Sequence, residues 1–210
     1  MRGLFVTGTD TDAGKTLVCS ALMAGAPPDW HYWKPVQTGL AQDPGDTATL
    51  AKFTQNLAPP LVNLQLPASP HFAARMENQQ ITLQHLLHAA KHLDPQHFWL
   101  LEGAGGALVP LNDRELLIEI PLHLHVPVLI VVRVRLGAIN HALLTERALV
   151  QMGLRVLGFV LSGPQDPSLE SALVAHVRVP ILGRLPEVPP GENLQPHGEI
   201  LREALQAVLP

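Results

Sequence analysis

The segment "GTDTDAGKT", Gly8 to Thr16, has the residue types of a loop that holds a chain of phosphates. Such a ligand needs many backbone N–H donors at close range, which favours glycine and the start of a helix. Lys15 is spaced to reach β- and γ-phosphates, and the Thr16 hydroxyl to bind Mg²⁺. The expected nucleotide contacts are Gly8, Thr9, Asp10, Thr11, Asp12, Ala13, Gly14, Lys15, Thr16 and Leu17. A second segment, "KPVQTG" from Lys34 to Gly39, supplies another cation. Alone, Lys34 would read as a strand-end charge kept at the surface by Pro35. Ligand sites in open parallel sheets gather at the carboxyl ends of strands, so beside a phosphate loop Lys34 is expected to face an anionic reacting group. The third segment, "FWLLEGAGG" from Phe98 to Gly106, ends an apolar run on Glu102. A hard cation wants oxygen ligands, which makes Glu102 the candidate carboxylate for Mg²⁺ and a further nucleotide contact. Gly103, Gly105 and Gly106 would let backbone approach the phosphates or the substrate.

These segments need a scaffold that brings them to one edge. Apolar runs at Leu4–Thr7, His31–Pro35, Phe98–Glu102, Val128–Val132, Val156–Leu161 and Pro180–Leu185 read as buried strands. Helical patterns at Lys15–Gly25, Asp46–Gln55, Leu83–His92, Ile139–Met152, Ser168–His176 and Gly198–Val208 separate them. Continuous rather than alternating hydrophobicity is what a sheet covered on both faces requires. The pattern predicts an α/β fold with a parallel sheet and right-handed crossovers, in one domain over residues 1–210. Charged residues make up 15% of the chain and the net charge is −4, with no basic stripe, so nucleic acid is not expected as a partner. The apolar stretch Val126–Val134 is too short to span a bilayer and is interrupted by Pro127 and Arg133. No signal peptide is recognisable, so no membrane association and a cytoplasmic location are expected. Cys19 is the only cysteine, which leaves no disulfide framework and no thiolate metal cluster. His85, His88 and His92 share one helix without a matching acid or cysteine cluster, and read as a solvated face.

Five residues separate Gly8 from Gly14, one more than in the common phosphate loop. The longer loop resembles a P-loop NTPase subfamily that holds dethiobiotin synthetases, cobyrinic acid amidases, CTP synthetase and the ParA/MinD partitioning ATPases. With "KPVQTG", Asp46 in "GDTATL", "SPHFAA", "LLEGAGG" and "LGAINHALLT" added, the chain resembles the dethiobiotin synthetase family over nearly its whole length. That resemblance implies an ATP- and Mg²⁺-dependent ligase acting on 7,8-diaminononanoate and CO₂ (or bicarbonate). A carbamate would form on one amine and take the γ-phosphoryl group, and the second amine would close the ring. The implied Mg²⁺ ligands are Thr16, Asp46 and Glu102, although the residue types alone make Asp46 a helix cap. Lys15, Lys34 and Thr11 are the implied catalytic groups, with Thr38 and Gly105 beside the substrate. Cys19 is left as a core residue. Some family members read adenine with an Asn after the fifth long strand. Here Ser162 and Gly163 stand there, so base contacts would fall to them and to Leu185, Pro186 and Glu187. "LGAINH" follows a strand and opens a helix, so free amides of Gly137, Ala138, Ile139 and Asn140 offer an anion site. In the family that helix start serves the neighbouring subunit, which implies a homodimer with shared sites. The rivals are weaker. An amidase of the subfamily carries a glutaminase domain with a catalytic Cys, and the partitioning ATPases carry a lysine near the loop start, where Thr9, Asp10 and Thr11 stand.

Overall fold

A computed structural model describes residues 1–189 and 191–209. Six long runs become strands of one sheet: β1 (Gly3–Gly8), β2 (Trp30–Trp33), β6 (Phe98–Gly106), β7 (Val128–Arg133), β8 (Val156–Ser162) and β9 (Ile181–Leu185). The two-residue β4 (Leu57–Ala58) adds an edge, giving the order β4-β2-β6-β1-β7-β8-β9 with every pairing parallel. Parallel pairing sends all carboxyl ends to the same edge, so the three chemical segments meet there.

Each face of the sheet is covered, as the continuous apolar runs require. On one face Leu4, Val6, Tyr32, Leu100 and Val131 pack against Val18 and Leu22 of α1 (Lys15–Met23), Leu50 of α2 (Asp46–Leu50) and Leu201 and Leu205 of α8 (Gln195–Gln206). On the other, Phe5, Trp33, Leu101, Ile130 and Phe159 pack against α3 (Pro70–Met76), α4 (Leu83–Ala90), α5 (Glu119–Leu124), α6 (Ala138–Gln151) and α7 (Pro167–His176). Arg202 ties α8 to α1 on the first face. Its guanidinium is buried and donates to the carbonyls of Leu22 (2.7 Å), Ala24 (2.9 Å) and Gly25 (3.2 Å), which satisfies carbonyls that the end of α1 would otherwise leave open. No helix among the described residues is long and apolar enough to cross a membrane.

Several features differ from the sequence expectation. The helix expected over Asp46–Gln55 stops at Leu50, after which the backbone tightens into turns bonded from Lys52 to Thr49 and from Phe53 to Leu50. The strand expected to end at Glu102 runs on to Gly106, and its pairing with β1 shifts register between Val6 and Gly8. Residues 70–76 and 119–124 are short helices with no long apolar period to reveal them. A small parallel pair, β3 (Val36–Gln37) with β5 (Val62–Asn63), follows Pro35, whose carbonyl accepts from Leu61 and Val62 (both 3.0 Å).

Candidate active site

The loop between β1 and α1 closes on itself. Gly14 takes a left-handed conformation (φ 95°), and a Cβ there would lie 2.3 Å from Ser162 Oγ, so glycine is required on both counts. Lys15 is buried and its Nζ donates to the loop carbonyls of Asp10 (3.2 Å) and Thr11 (2.9 Å). Desolvation lowers its pKa, with Glu102 opposing that shift. The Thr9 amide donates to Val131 (3.0 Å), and Arg135 bonds Asp10 at 2.5 Å, which pins the loop to the end of β7. The Thr11 amide, ahead of Arg135, holds the Asp10 carboxyl below its ordinary range.

Thr16 faces two carboxylates, with its hydroxyl 2.6 Å from Asp46 Oδ1 and 2.9 Å from Glu102 Oε1. Asp46 does not cap α2. It is the first residue of that helix, Gly45 (φ 91°) precedes it, and its side chain turns inward. Gln37 holds it there, accepting from the Asp46 amide (3.1 Å) and donating to its Oδ2 (3.4 Å). Lys34 is not at the surface. Its side chain is 5% exposed, its ammonium is paired with Asp46, and it donates to Glu102 Oε1 (3.0 Å) and the Gly103 carbonyl (3.3 Å). Burial works against its charge, but the Glu102 and Asp46 carboxylates outweigh burial and raise its pKa. Burial likewise pushes the Asp46 pKa up, and the Lys34 charge reverses that, so the net shift is downward.

These groups line a cleft of about 500 Å³ together with Thr11, Thr38, Gly105 and Arg133. Thr11, Thr38 and Gly105 also line an adjoining cleft of about 360 Å³ that continues past Ser69, Pro70 and Val109. The arrangement has room for a phosphate chain at the loop and for a second molecule beside it. Thr16, Asp46 and Glu102 offer three converging hard oxygens, a donor set suited to a divalent cation such as Mg²⁺. Lys34 sets one positive charge against these two carboxylates.

Curated dethiobiotin synthetases are similar to this chain in sequence. That of Agrobacterium fabrum is 38% identical over 88% of this chain and 85% of its own length. The chain belongs to the dethiobiotin synthetase family. The biotin biosynthesis bifunctional protein BioCD of Bordetella avium is 42% identical over 89% of this chain, which spans 40% of that protein. A family model described as an AAA domain matches residues 2–195. Among solved structures, the septum site-determining protein MinD complexed with Mg-ADP from Pyrococcus horikoshii covers 97% of this chain and 95% of its own, with a TM-score of 0.61 at 16% identity. That likeness reports the fold alone.

Other expected site residues of this dethiobiotin synthetase family member lie outside the cleft wall. Ser162 is buried against Gly14, and the Gly163 amide is spent on the Leu185 carbonyl (2.9 Å). Leu185 is buried at the end of β9, Pro186 follows it, and Glu187 is exposed 3.6 Å from Arg133. Gly137, Ala138, Ile139 and Asn140 line neither cleft of their own chain. Not all their amides are free. The Ala138 amide donates to the Arg135 carbonyl (3.0 Å) and Ala138 is buried, so Ile139 and Asn140 carry the helix start. Cys19 is buried in the apolar layer beneath α1, as expected. Sequence reasoning missed Gln37, Tyr32, Arg133 and Arg135. Gln37 lies inside "KPVQTG", and both arginines follow the apolar run of β7 at the carboxyl edge; that position was the available signal.

Proposed function

We propose that this chain is an ATP-dependent ring-closing ligase converting 7,8-diaminononanoate and CO₂ to dethiobiotin, with ADP and phosphate released. One observation carries the reading: Lys15, Thr16 and the Lys34–Asp46–Glu102 cluster share a cleft that opens through Thr11, Thr38 and Gly105 into a second, less polar one. The diamine captures CO₂ as a carbamate on one nitrogen, losing a proton. The carbamate oxygen attacks the γ-phosphorus and ADP leaves. The second amine then attacks the carbonyl carbon of the mixed anhydride and loses a proton, the ring closes, and phosphate departs with its electron pair. Both reacting groups are anions, so the protein's part is to position them and offset their repulsion. Lys15 reaches the transferring phosphoryl group, Lys34 faces the carbamate, and Thr11 and Thr38 donate hydrogen bonds. Thr16, Asp46 and Glu102 would hold Mg²⁺, which supplies charge neutralisation on the phosphates. ADP release should therefore require both the diamine and bicarbonate. Turnover that ignores the diamine but responds to DNA, a membrane or a protein would replace this reading with an ATPase switch.

The same assay tests base selectivity. The Gly163 amide and the Ser162 carbonyl are engaged within the fold and Ser162 is buried, and neither residue carries a side-chain amide to read adenine. A site that does not hydrogen-bond a distinguishing group rejects analogues weakly, so CTP or GTP should support turnover within about tenfold of ATP. A preference for ATP above about 10⁴ would mean that another group reads the base.

The working form is proposed to be a homodimer. Leu136, beside the α6 start, is fully exposed (104%) and Leu144 on the same helix is 58% exposed, an apolar surface suited to a second copy. The amides of Ile139 and Asn140 would bind the substrate carboxylate held in the partner's cleft. Asn140 is exposed, so Asn140→Asp adds charge without disturbing the core. Mixed with Lys15→Ala chains and allowed to re-pair, it should restore about a quarter of wild-type sites, because half the dimers are mixed and each holds one intact site. Recovery no greater than the sum of the parents, with exchange verified, would put both elements in one chain.

A further inference from the structure

Glu102 has a partner that the reaction above does not use. Oε1 receives Thr16 and Lys34, whereas Oε2 accepts from the Tyr32 hydroxyl at 2.9 Å, an interaction buried from solvent. Tyr32 pairs in register with Leu100, two residues before Glu102, and both side chains point to the α1 face. Its ring is therefore clamped between sheet and helix and its hydroxyl rises along the strands to the carboxylate. The hydroxyl is the donor in this pair, since a carboxylate oxygen can only accept.

A glutamate at a cation site can turn about its terminal bond, and a ligand that turns costs affinity. We propose that Tyr32 is a positioning residue: its hydroxyl fixes Oε2 of Glu102 and keeps Oε1 turned to Thr16 and Lys34. This rests on the reading of Thr16, Asp46 and Glu102 as the cation site. Tyr32→Phe deletes the hydroxyl and keeps the ring. Binding of Mn²⁺ in the presence of ADP, followed by electron paramagnetic resonance, should weaken about tenfold, the low end for loss of a group that orients a ligand. The Mg²⁺ concentration for half-maximal turnover should rise by the same factor, with kcat at saturating Mg²⁺ within about threefold of wild type.

Two companions separate the outcomes. Leu4→Val trims the same core layer without touching Glu102, and should melt lower with Mn²⁺ affinity unchanged. Weakening in Leu4→Val equal to that in Tyr32→Phe would reduce the effect to general loosening and overturn the proposal. Glu102→Gln reports on the cation site itself. If Glu102→Gln weakens Mn²⁺ binding and Tyr32→Phe does not, the positioning role is wrong and the cation site stands. If neither variant weakens it, the cation-site reading fails and takes the proposal with it.

Discussion

Glu102→Gln and Asp46→Asn should each lower turnover about 100-fold or more while the fold survives, because on the proposed reading each removes a hard anionic ligand from a cation that would neutralise phosphoryl charge. The amides keep the shapes of the side chains. After Glu102→Gln the side-chain carbonyl can still accept from Thr16 or Tyr32, and after Asp46→Asn it can still accept from Thr16. Lys34 would keep one carboxylate partner in either variant, so no buried charge is left alone. The measurement is turnover across a Mg²⁺ titration, with thermal melting as the check on folding. Near-normal rates at limiting Mg²⁺ in either variant would take that residue out of the site.

Lys34→Ala should cost about 10²–10³ in rate with ATP affinity changed little, the scale expected for one electrostatic stabiliser of a developing charge. Lys34 stands beyond Thr16 and Glu102 from the phosphate loop, whose own carbonyls occupy Lys15. Its loss therefore falls on the reacting group more than on nucleotide capture. A collapse of ATP binding would make Lys34 a nucleotide residue instead. The same variant carries a stability signature. The Asp46 pKa is depressed in the folded chain, so its contribution is present above the ordinary value of 3.8 and is lost as pH falls through the lowered folded value. With Lys34 gone that depression shrinks, and acid unfolding should begin at higher pH than in the wild type.

The fold class and most of the site are legible in the amino-acid sequence. Apolar runs without alternation require a sheet covered on both faces, and that alone sends Thr16, Lys34 and Glu102 to one edge. The glycine-rich spacing from Gly8 to Thr16 carries its own chemistry, since Gly14 has to be left-handed and close to its neighbour whatever the rest of the chain does. Local signals are also enough for α6, whose apolar period runs through its 14 residues, and for α1, whose start is set by the glycines of the phosphate loop.

What tertiary structure decided is how the charges are paired. Asp46 reads as a cap by its residue type. Only the approach of Gln37 and Thr16, 9 and 30 residues away in sequence, turns it inward. Lys34 reads by position as a cation facing an anionic group at the strand ends; that its partners in the fold are Glu102, 68 residues on, and Asp46 was not legible. Tyr32 reads as one more apolar strand residue; the β2–β6 register alone carries its hydroxyl to Glu102. The Ala138 amide, open by sequence, is closed by the carbonyl of Arg135 in the turn that starts α6. Periodicity and propensity describe each segment against solvent and its near neighbours. The partner of a buried polar atom is set by strand register and by which helix crosses above it, and neither is written in the segment that carries the atom.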